Sequence, residues 1–173
     1  MKPKLYKAAV LLLLTCLIGV VAFFGWPHYA IRQENSTLQS VGRHAHEITG
    51  VEVLRLASGE TGPAGSYFVH FRNSQRGIAT RQVLTGTQGS ELVRLWGALR
   101  FAEGYMAGCH EPGFVLRFLA GQRVVFETAV CFDCENVSWK SAPFTSTCRQ
   151  MAPTAFDKNS GIDALKAFLT QLQ

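Results

Sequence analysis

The sequence lacks the short motifs that mark common catalytic sites. It has no G-x-S-x-G, no H-E-x-x-H and no glycine-rich loop between a strand and a helix. It also has no low-complexity tract, no repeat of solenoid length and no long run of like charges, which argues against a repeat protein and against disorder outside residues 27–50. Because no motif indicates an enzyme, we expect a protein that acts by binding.

The excess of basic over acidic residues is small outside the amino terminus. The formal net charge is +5, and Lys2, Lys4 and Lys7 carry +3 of it. Subtracting these three from the 17 basic residues leaves 14, which are interspersed with 12 acidic residues. No basic stripe follows from this distribution, so we expect no nucleic-acid partner.

An uncharged apolar run lies near the amino terminus. Residues 1–7 form a basic flank, and residues 8–26 contain no charge and end in Trp26. This run is long enough for a transmembrane helix, and lysines on one side predict a cytoplasmic amino terminus. A cleaved signal peptide and a lipoprotein signal at Cys16 are the alternatives. The length of the run and the poor residues at both candidate cleavage sites favour an uncleaved anchor.

A polar, aperiodic segment follows the apolar run. Residues 27–50 predict a linker, and residues 51–173 predict one domain with its own core. Ser90 is a suitable N-cap for a helix that ends near Gly104. Turn sequences and β-branched residues predict three antiparallel strands, at residues 51–57, 66–72 and 78–85.

Residues 109–134 hold three of the five cysteines at the open end of a predicted β-hairpin. A three-residue loop, 120–122, predicts that Phe118 faces Val124. The same register places Cys109 near Cys131. The alternating positions on the two strands are Phe114, Leu116, Phe118, Val124, Phe126, Thr128 and Val130.

The carboxyl-terminal part predicts one more strand, a loop and a helix. Residues 134–140 predict the strand, with Trp139 as an anchor, and residues 141–158 predict an irregular loop. A capping-box pattern at Ser160 opens the last helix. The resulting fold is α+β, with a mostly antiparallel sheet of five to six strands in the order βββα-ββ(β)α, two helices on one face and a preceding transmembrane helix. The expected buried side of the last helix is Ile162, Leu165, Phe168, Leu169 and Leu172.

A motif of C-x-x-P, R-F, G and C-F-x-C runs through the hairpin. It consists of Cys109, Pro112, Arg117, Phe118, Gly121, Cys131, Phe132 and Cys134. This motif resembles that of uncharacterised bacterial proteins. The resemblance implies no activity, cofactor or catalytic residue. For a bacterial chain, the anchor predicts an inner-membrane protein with its domain in the periplasm, and we expect the membrane and another protein as its partners.

Four cysteines outside the apolar run suggest disulfides, because an oxidising compartment favours them. Strand parity pairs Cys109 with Cys131 and leaves Cys134 for Cys148. The expected function is a disulfide-stabilised, extracytoplasmic binding or accessory domain without enzymatic activity.

Two alternatives remain open for the cysteines. Cys131 and Cys134 form a C-x-x-C pair that suits thiol-disulfide chemistry, although Glu135 beside it opposes a reactive thiolate. Cys109, His110, Cys131 and Cys134 have the residue types of a structural zinc site, and no other cofactor is expected. The resemblance favours zinc or an unpaired thiol slightly, because its motif contains three cysteines and omits Cys148. Glu111 and Asp133 flank the cluster as a candidate acidic site, or as solvated strand-end carboxylates.

Overall fold

The computed structural model describes residues 10–21, 36, 38–69, 72–106, 109–141, 154–157 and 161–172. Helices alternate with runs of strands in this part of the chain. The helices are α1 (residues 10–21), α2 (residues 38–43), α3 (Gly86–Ala98) and α4 (Ile162–Gln171), with a 3-10 turn at Ala45–Glu47. The strands are β1 (Gly50–Leu56), β2 (Ser66–Val69), β3 (Ser74–Leu84), β4 (Phe101–Met106), β5 (Phe114–Ala120), β6 (Arg123–Cys131), β7 (Asn136–Ser141) and β8 (Thr154–Phe156).

All eight strands belong to one antiparallel sheet in the order β2-β3-β1-β5-β6-β7-β8-β4. The predicted α+β class and antiparallel sheet are confirmed, but the predicted count of five to six strands is wrong. The two additional strands are β4 and β8, which pair with each other through Phe101 and Phe156. Partners so distant in sequence leave no local pattern, and β8 lies inside the expected loop of residues 141–158.

Helix α3 begins and ends earlier than predicted. Its N-cap is Thr85 rather than Ser90, and its C-cap is Leu99. Gly89 allows the first turn to pack on β3, because a Cβ there would lie 2.8 Å from the Leu84 carbonyl oxygen. After the cap, the Arg100 carbonyl accepts a hydrogen bond from the amide of Asp157 at 2.9 Å, and the chain enters β4 instead of continuing to Gly104.

The predicted β5-β6 hairpin is confirmed, but its register is not. Phe118 faces Phe126 rather than Val124, because the turn has two residues and a bulge follows Phe118. Gly121 allows this turn, since its φ is +61°. The offset is two residues, so the predicted apolar face is retained.

The two faces of the sheet are covered differently. One face packs against α3 and α4, through Leu92 and Trp96 of α3 and Leu165 and Leu169 of α4. This agrees with the prediction of two helices on one face. The opposite face carries a smaller apolar cluster under the β2 hairpin, formed by Leu54, Leu56, Ile78, Val115 and Ala129 with Ala64 and Tyr67.

Helix α2 belongs to the domain core. Leu38 and Val41 are fully buried in the main cluster, and the Trp96 indole Nε1 donates a hydrogen bond to the Leu38 carbonyl at 3.0 Å. The backbones of Gly42 and Gly97 are in close contact. A Cβ added to Gly42 would lie only 3.1 Å from the Gly97 Cα. The predicted linker of residues 27–50 therefore extends too far. Its mostly polar sequence gave no sign that Leu38 and Val41 belong to the core.

Helix α1 exposes its apolar side chains, among them Leu11, Leu13 and Leu17. Within the described ranges, no helix is both long and apolar enough to cross a membrane. Residues 8–9 and 22–26 of the predicted anchor lie outside these ranges. The anchor at residues 8–26 therefore stays a prediction.

Two tryptophans allow a test of the contact between α2 and α3. We expect Trp96→Phe to lower the free energy of unfolding more than Trp139→Phe does, by about 1–3 kcal/mol, because it leaves the buried Leu38 carbonyl without its donor. Trp139 is the matched control, since its buried Nε1 has no hydrogen-bond partner in the described part of the chain. Urea unfolding of both variants measures the difference. Equal losses would contradict a stabilising role for this hydrogen bond.

Candidate functional site

A disulfide closes the open end of the central hairpin. Cys109 and Cys134 are bonded, with their Cα atoms 6.1 Å apart, across 25 positions of sequence. The segment before β5 is held against the sheet because the Gly113 amide donates to the Val130 carbonyl and the Gly113 carbonyl accepts from Leu56. A bridge of this span contributes about 3 kcal/mol by restricting the unfolded chain.

Cys131 is a buried, free thiol beside this disulfide. Residues 132–135 form a tight turn rather than extending the strand, and Glu135 adopts a left-handed conformation with φ +48°. The turn brings Cys134 to Cys109. The expected Cys109–Cys131 and Cys134–Cys148 pairings are therefore wrong, and Cys148 itself lies outside the described residues. The backbone amide of Cys134 donates to Cys131 Sγ at 3.3 Å.

His110, adjacent to the disulfide, is the centre of a buried polar network. Its Nδ1 lies 2.5 Å from Asn136 Oδ1, and its Nε2 lies 2.8 Å from Ser138 Oγ. The Asn136 amide nitrogen donates to the Cys109 carbonyl at 2.6 Å. Asn136 Oδ1 must therefore accept, which assigns the proton to Nδ1 and leaves Nε2 to accept from the Ser138 hydroxyl. A neutral imidazole satisfies every partner in this network.

The environment of His110 favours this neutral form. Burial lowers the pKa of His110, the hydrogen bond to Asn136 opposes that shift, and the charge of Arg72 adds to it. His110 and Asn136 are fully buried. The network therefore fixes the segment that carries Cys109 to strand β7.

Ser138, His110 and Asn136 are hydrogen-bonded in series, as are the nucleophile, the base and the orienting group of a catalytic triad. The surroundings of these residues do not suit catalysis. The base is fully buried, and an amide does not stabilise an imidazolium as a carboxylate does; in serine proteases that replacement costs about 10⁴-fold in kcat. We interpret the three residues as a structural clamp.

The four residues of the zinc alternative lie close together but do not form a ligand set. Cys109 and Cys134 are bonded to each other, and both ring nitrogens of His110 have partners in the network. Within the described residues, no group of three or more His, Cys, Asp or Glu side chains is arranged to hold a metal ion. The redox pair is also not joined in this structure, since Cys134 is bonded to Cys109.

Glu111 pairs with Arg72, at 2.9 Å between Oε1 and Nη2, while Asp133 is exposed. Arg72, His110 and Glu111 line a cavity of about 80 Å³. That volume suits a few water molecules rather than an organic substrate. The flanking carboxylates are therefore better explained as strand-end surface groups than as an acidic site.

A line of charges crosses the sheet on the face opposite α3. Arg117 lies between Glu127 and Glu52, with Nε 2.7 Å from one carboxylate and Nη1 3.1 Å from the other. Burial lowers the pKa of Arg117. Hydrogen bonds and charges from both carboxylates raise that pKa by more than burial lowers it, so the net shift is upward. Tyr67 donates to Glu127 at 3.1 Å, and burial together with that carboxylate raises the pKa of the phenol. This set links β1, β5 and β6.

A larger concavity than the one beside His110 lies between α2 and α3. We call it the arginine groove, and its volume is about 700 Å³. It is lined by Gln39, Gly42, Arg43, Ala45, Ile48, Ser90, Val93, Arg94, Gly97, Ala98, Leu99 and Arg100. This site was not predicted from the sequence, because five of its twelve lining residues fall in the expected linker. Arg43 is also far from Arg94 and Arg100 in the chain, so no local signal groups the three.

Comparisons with protein-family models, curated proteins and solved structures found no match to this chain.

The lowered pKa of His110 makes stability depend on pH. An unfolded histidine binds a proton below about pH 6.5, while the folded one resists it, so the stabilisation is complete above that pH and is lost as pH falls towards the folded pKa. We expect the unfolding free energy to fall more steeply from pH 7 to 5 in the wild type than in His110→Gln, by up to about 1.4 kcal/mol per pH unit. Denaturant titrations measure both slopes.

The exposed His46 provides the control for this measurement. His46→Gln should keep the wild-type slope. Identical slopes for the wild type and His110→Gln would show that the buried imidazole is not the group responsible.

Proposed function

We propose that this chain is a membrane-anchored, extracytoplasmic domain that acts by binding and is stabilised by the Cys109–Cys134 disulfide. The observation that carries the proposal is helix α1, which displays leucine, isoleucine and valine side chains on all sides without packing them on the domain. A helix that is apolar all round needs an apolar environment. Its residues lie inside the uncharged run of residues 8–26.

A polar residue within α1 is compatible with lipid. Thr15 turns its hydroxyl back to the helix and donates to the carbonyls of Leu11 and Leu12, at 3.0 and 2.9 Å. A hydroxyl satisfied in this way does not need water. The helix therefore presents an apolar surface throughout the described part.

The disulfide supports an oxidising location for the domain. Cys109 is exposed, so reducing agents of a cytosol would have access to its sulfur. The arginine groove supports a binding role, because its volume lies within the range of about 300–1,000 Å³ that ligand sites occupy.

Introducing charge into α1 tests the anchor. We expect Leu13→Arg/Leu17→Arg to move the full chain from alkali-washed membranes of a bacterial host to the soluble fraction, because each arginine costs about 2.5–3.5 kcal/mol near the centre of a membrane helix. Leu13→Ile/Leu17→Ile is the matched control and should stay in the membrane. Recovery of the wild type in the soluble fraction would refute the anchor.

The contact between Cys131 and Cys134 favours a second candidate function, thiol-disulfide exchange. The Cys131 thiolate attacks Cys134 Sγ, a Cys131–Cys134 bond forms, and the Cys109–Cys134 bond breaks. Cys109 leaves as a thiolate and takes up the proton lost by Cys131. The reaction needs no external oxidant, and the Cys134 amide 3.3 Å from Cys131 Sγ places the two residues within reach.

Removal of Cys109 tests this exchange. In a glutathione redox buffer we expect Cys109→Ser to form a Cys131–Cys134 bridge, which oxidised glutathione closes, because Cys134 has lost its partner. Non-reducing peptide mapping after alkylation detects the bridge. Cys131→Ala should retain the Cys109–Cys134 bond as the control. If Cys131 and Cys134 of Cys109→Ser are both alkylated, the exchange geometry is absent.

A further inference from the structure

We infer that the arginine groove binds the phosphate headgroup of an anionic phospholipid. The inference rests on the proposed membrane anchoring and assigns a ligand class to the groove. It follows from the charge, the mixed polarity, the rigidity and the position of the groove.

The charge of the groove is positive. Arg43, Arg94 and Arg100 line it, and the lining contains no aspartate or glutamate among the described residues. Arg94 is bound to neighbouring Glu91 through Nε and Nη2, at 2.7 and 2.6 Å, so its charge is offset. Arg43 and Arg100 leave a surplus of two positive charges. Planar guanidinium groups bind phosphate oxygens in pairs, which makes a phosphate the expected anion.

The floor of the groove is apolar. Val93 and Leu99 are buried there, and Ile48 is half-buried. The lining therefore combines cationic and apolar side chains. An inorganic phosphate would fill little of a volume of about 700 Å³ and would leave the apolar floor uncovered. An anion joined to a glycerol backbone and acyl chains matches both parts.

The two walls are fixed before any ligand binds. The Trp96 indole donates to the Leu38 carbonyl, and Gly42 rests against Gly97 in close contact. Leu38 and Val41 fasten α2 in the core. A groove that is already formed avoids the entropic cost of ordering its walls.

The position of the groove along the chain favours a membrane lipid over other amphiphiles. Only residues 22–37 separate α1 from α2. Even fully extended, this segment spans at most about 60 Å. With α1 in the bilayer, the groove therefore stays within about 60 Å of the end of α1, which raises the local concentration of lipid headgroups around it.

Short-chain lipids test the inference with the full chain held in neutral detergent micelles. Calorimetric titration compares dihexanoyl phosphatidylglycerol, dihexanoyl phosphatidylcholine and inorganic phosphate. We expect phosphatidylglycerol to bind at least tenfold more tightly than the other two. We expect Arg43→Gln/Arg100→Gln to weaken that binding at least tenfold. Arg55→Gln/Lys166→Gln removes the same charge from exposed positions outside the groove and should change binding less than twofold.

Three outcomes would overturn the inference. Equal affinity for the two lipids would show that the anionic headgroup is not recognised. Inorganic phosphate binding as tightly as phosphatidylglycerol would identify a free phosphate site instead. Unchanged binding by Arg43→Gln/Arg100→Gln would place the lipid elsewhere. None of these outcomes affects the anchor, because Arg43→Gln/Arg100→Gln should remain in the membrane fraction.

Discussion

The indole of Trp96 connects helix α3 to four other elements of the domain, namely α2, β4, β5 and β6. Its ring centroid lies 5.7 Å from that of Phe118, 6.0 Å from that of Phe126 and 6.1 Å from that of Phe101, so α3 meets β5, β6 and β4 at one point. Its Nε1 then holds α2 through the Leu38 carbonyl. The helix layer, the central hairpin and the arginine groove therefore share one anchoring side chain.

The central hairpin gives each face of the sheet a different role. Phe118 and Phe126 face the main core, whereas Arg117 and Glu127 face the opposite side and connect neighbouring strands by charge. At the open end, the Cys109–Cys134 bond and the His110 network fix the segment that enters β5. A covalent bond and a hydrogen-bond network thus stabilise the same end of the hairpin. The arginine groove lies on the helix side of the sheet, between α2 and α3.

Local patterns in the sequence predicted the elements whose partners are close in the chain. The alternation from Phe114 to Val130 identified the hairpin, and the spacing of Leu165 and Leu169 identified the buried side of α4. Long-range features escaped prediction. Strands β4 and β8 exist because they pair with each other, and α2 enters the core through only two apolar residues in a polar segment. Neither leaves a periodic signal.

In the candidate site, too, the sequence predicted some features and not others. Composition and spacing grouped Cys109, His110, Cys131 and Cys134 correctly, but the pairing depended on a four-residue turn after β6 that strand parity does not encode. Asn136 and Ser138 were missed as partners of His110, because their roles depend on the register between β6 and β7. The arginine groove combines residues from two helices and the segment after each of them, so it becomes visible only in the folded chain.

The state of the cysteines in the membrane-bound wild type tests the account most directly. Cells are acid-quenched and alkylated, the full chain is purified from the membrane fraction, and its peptides are mapped without reduction. The account predicts a crosslink between Cys109 and Cys134, with Cys131 alkylated after unfolding. Alkylation of Cys109 and Cys134 would contradict the extracytoplasmic location, and a crosslink through Cys131 would contradict the structure of the site.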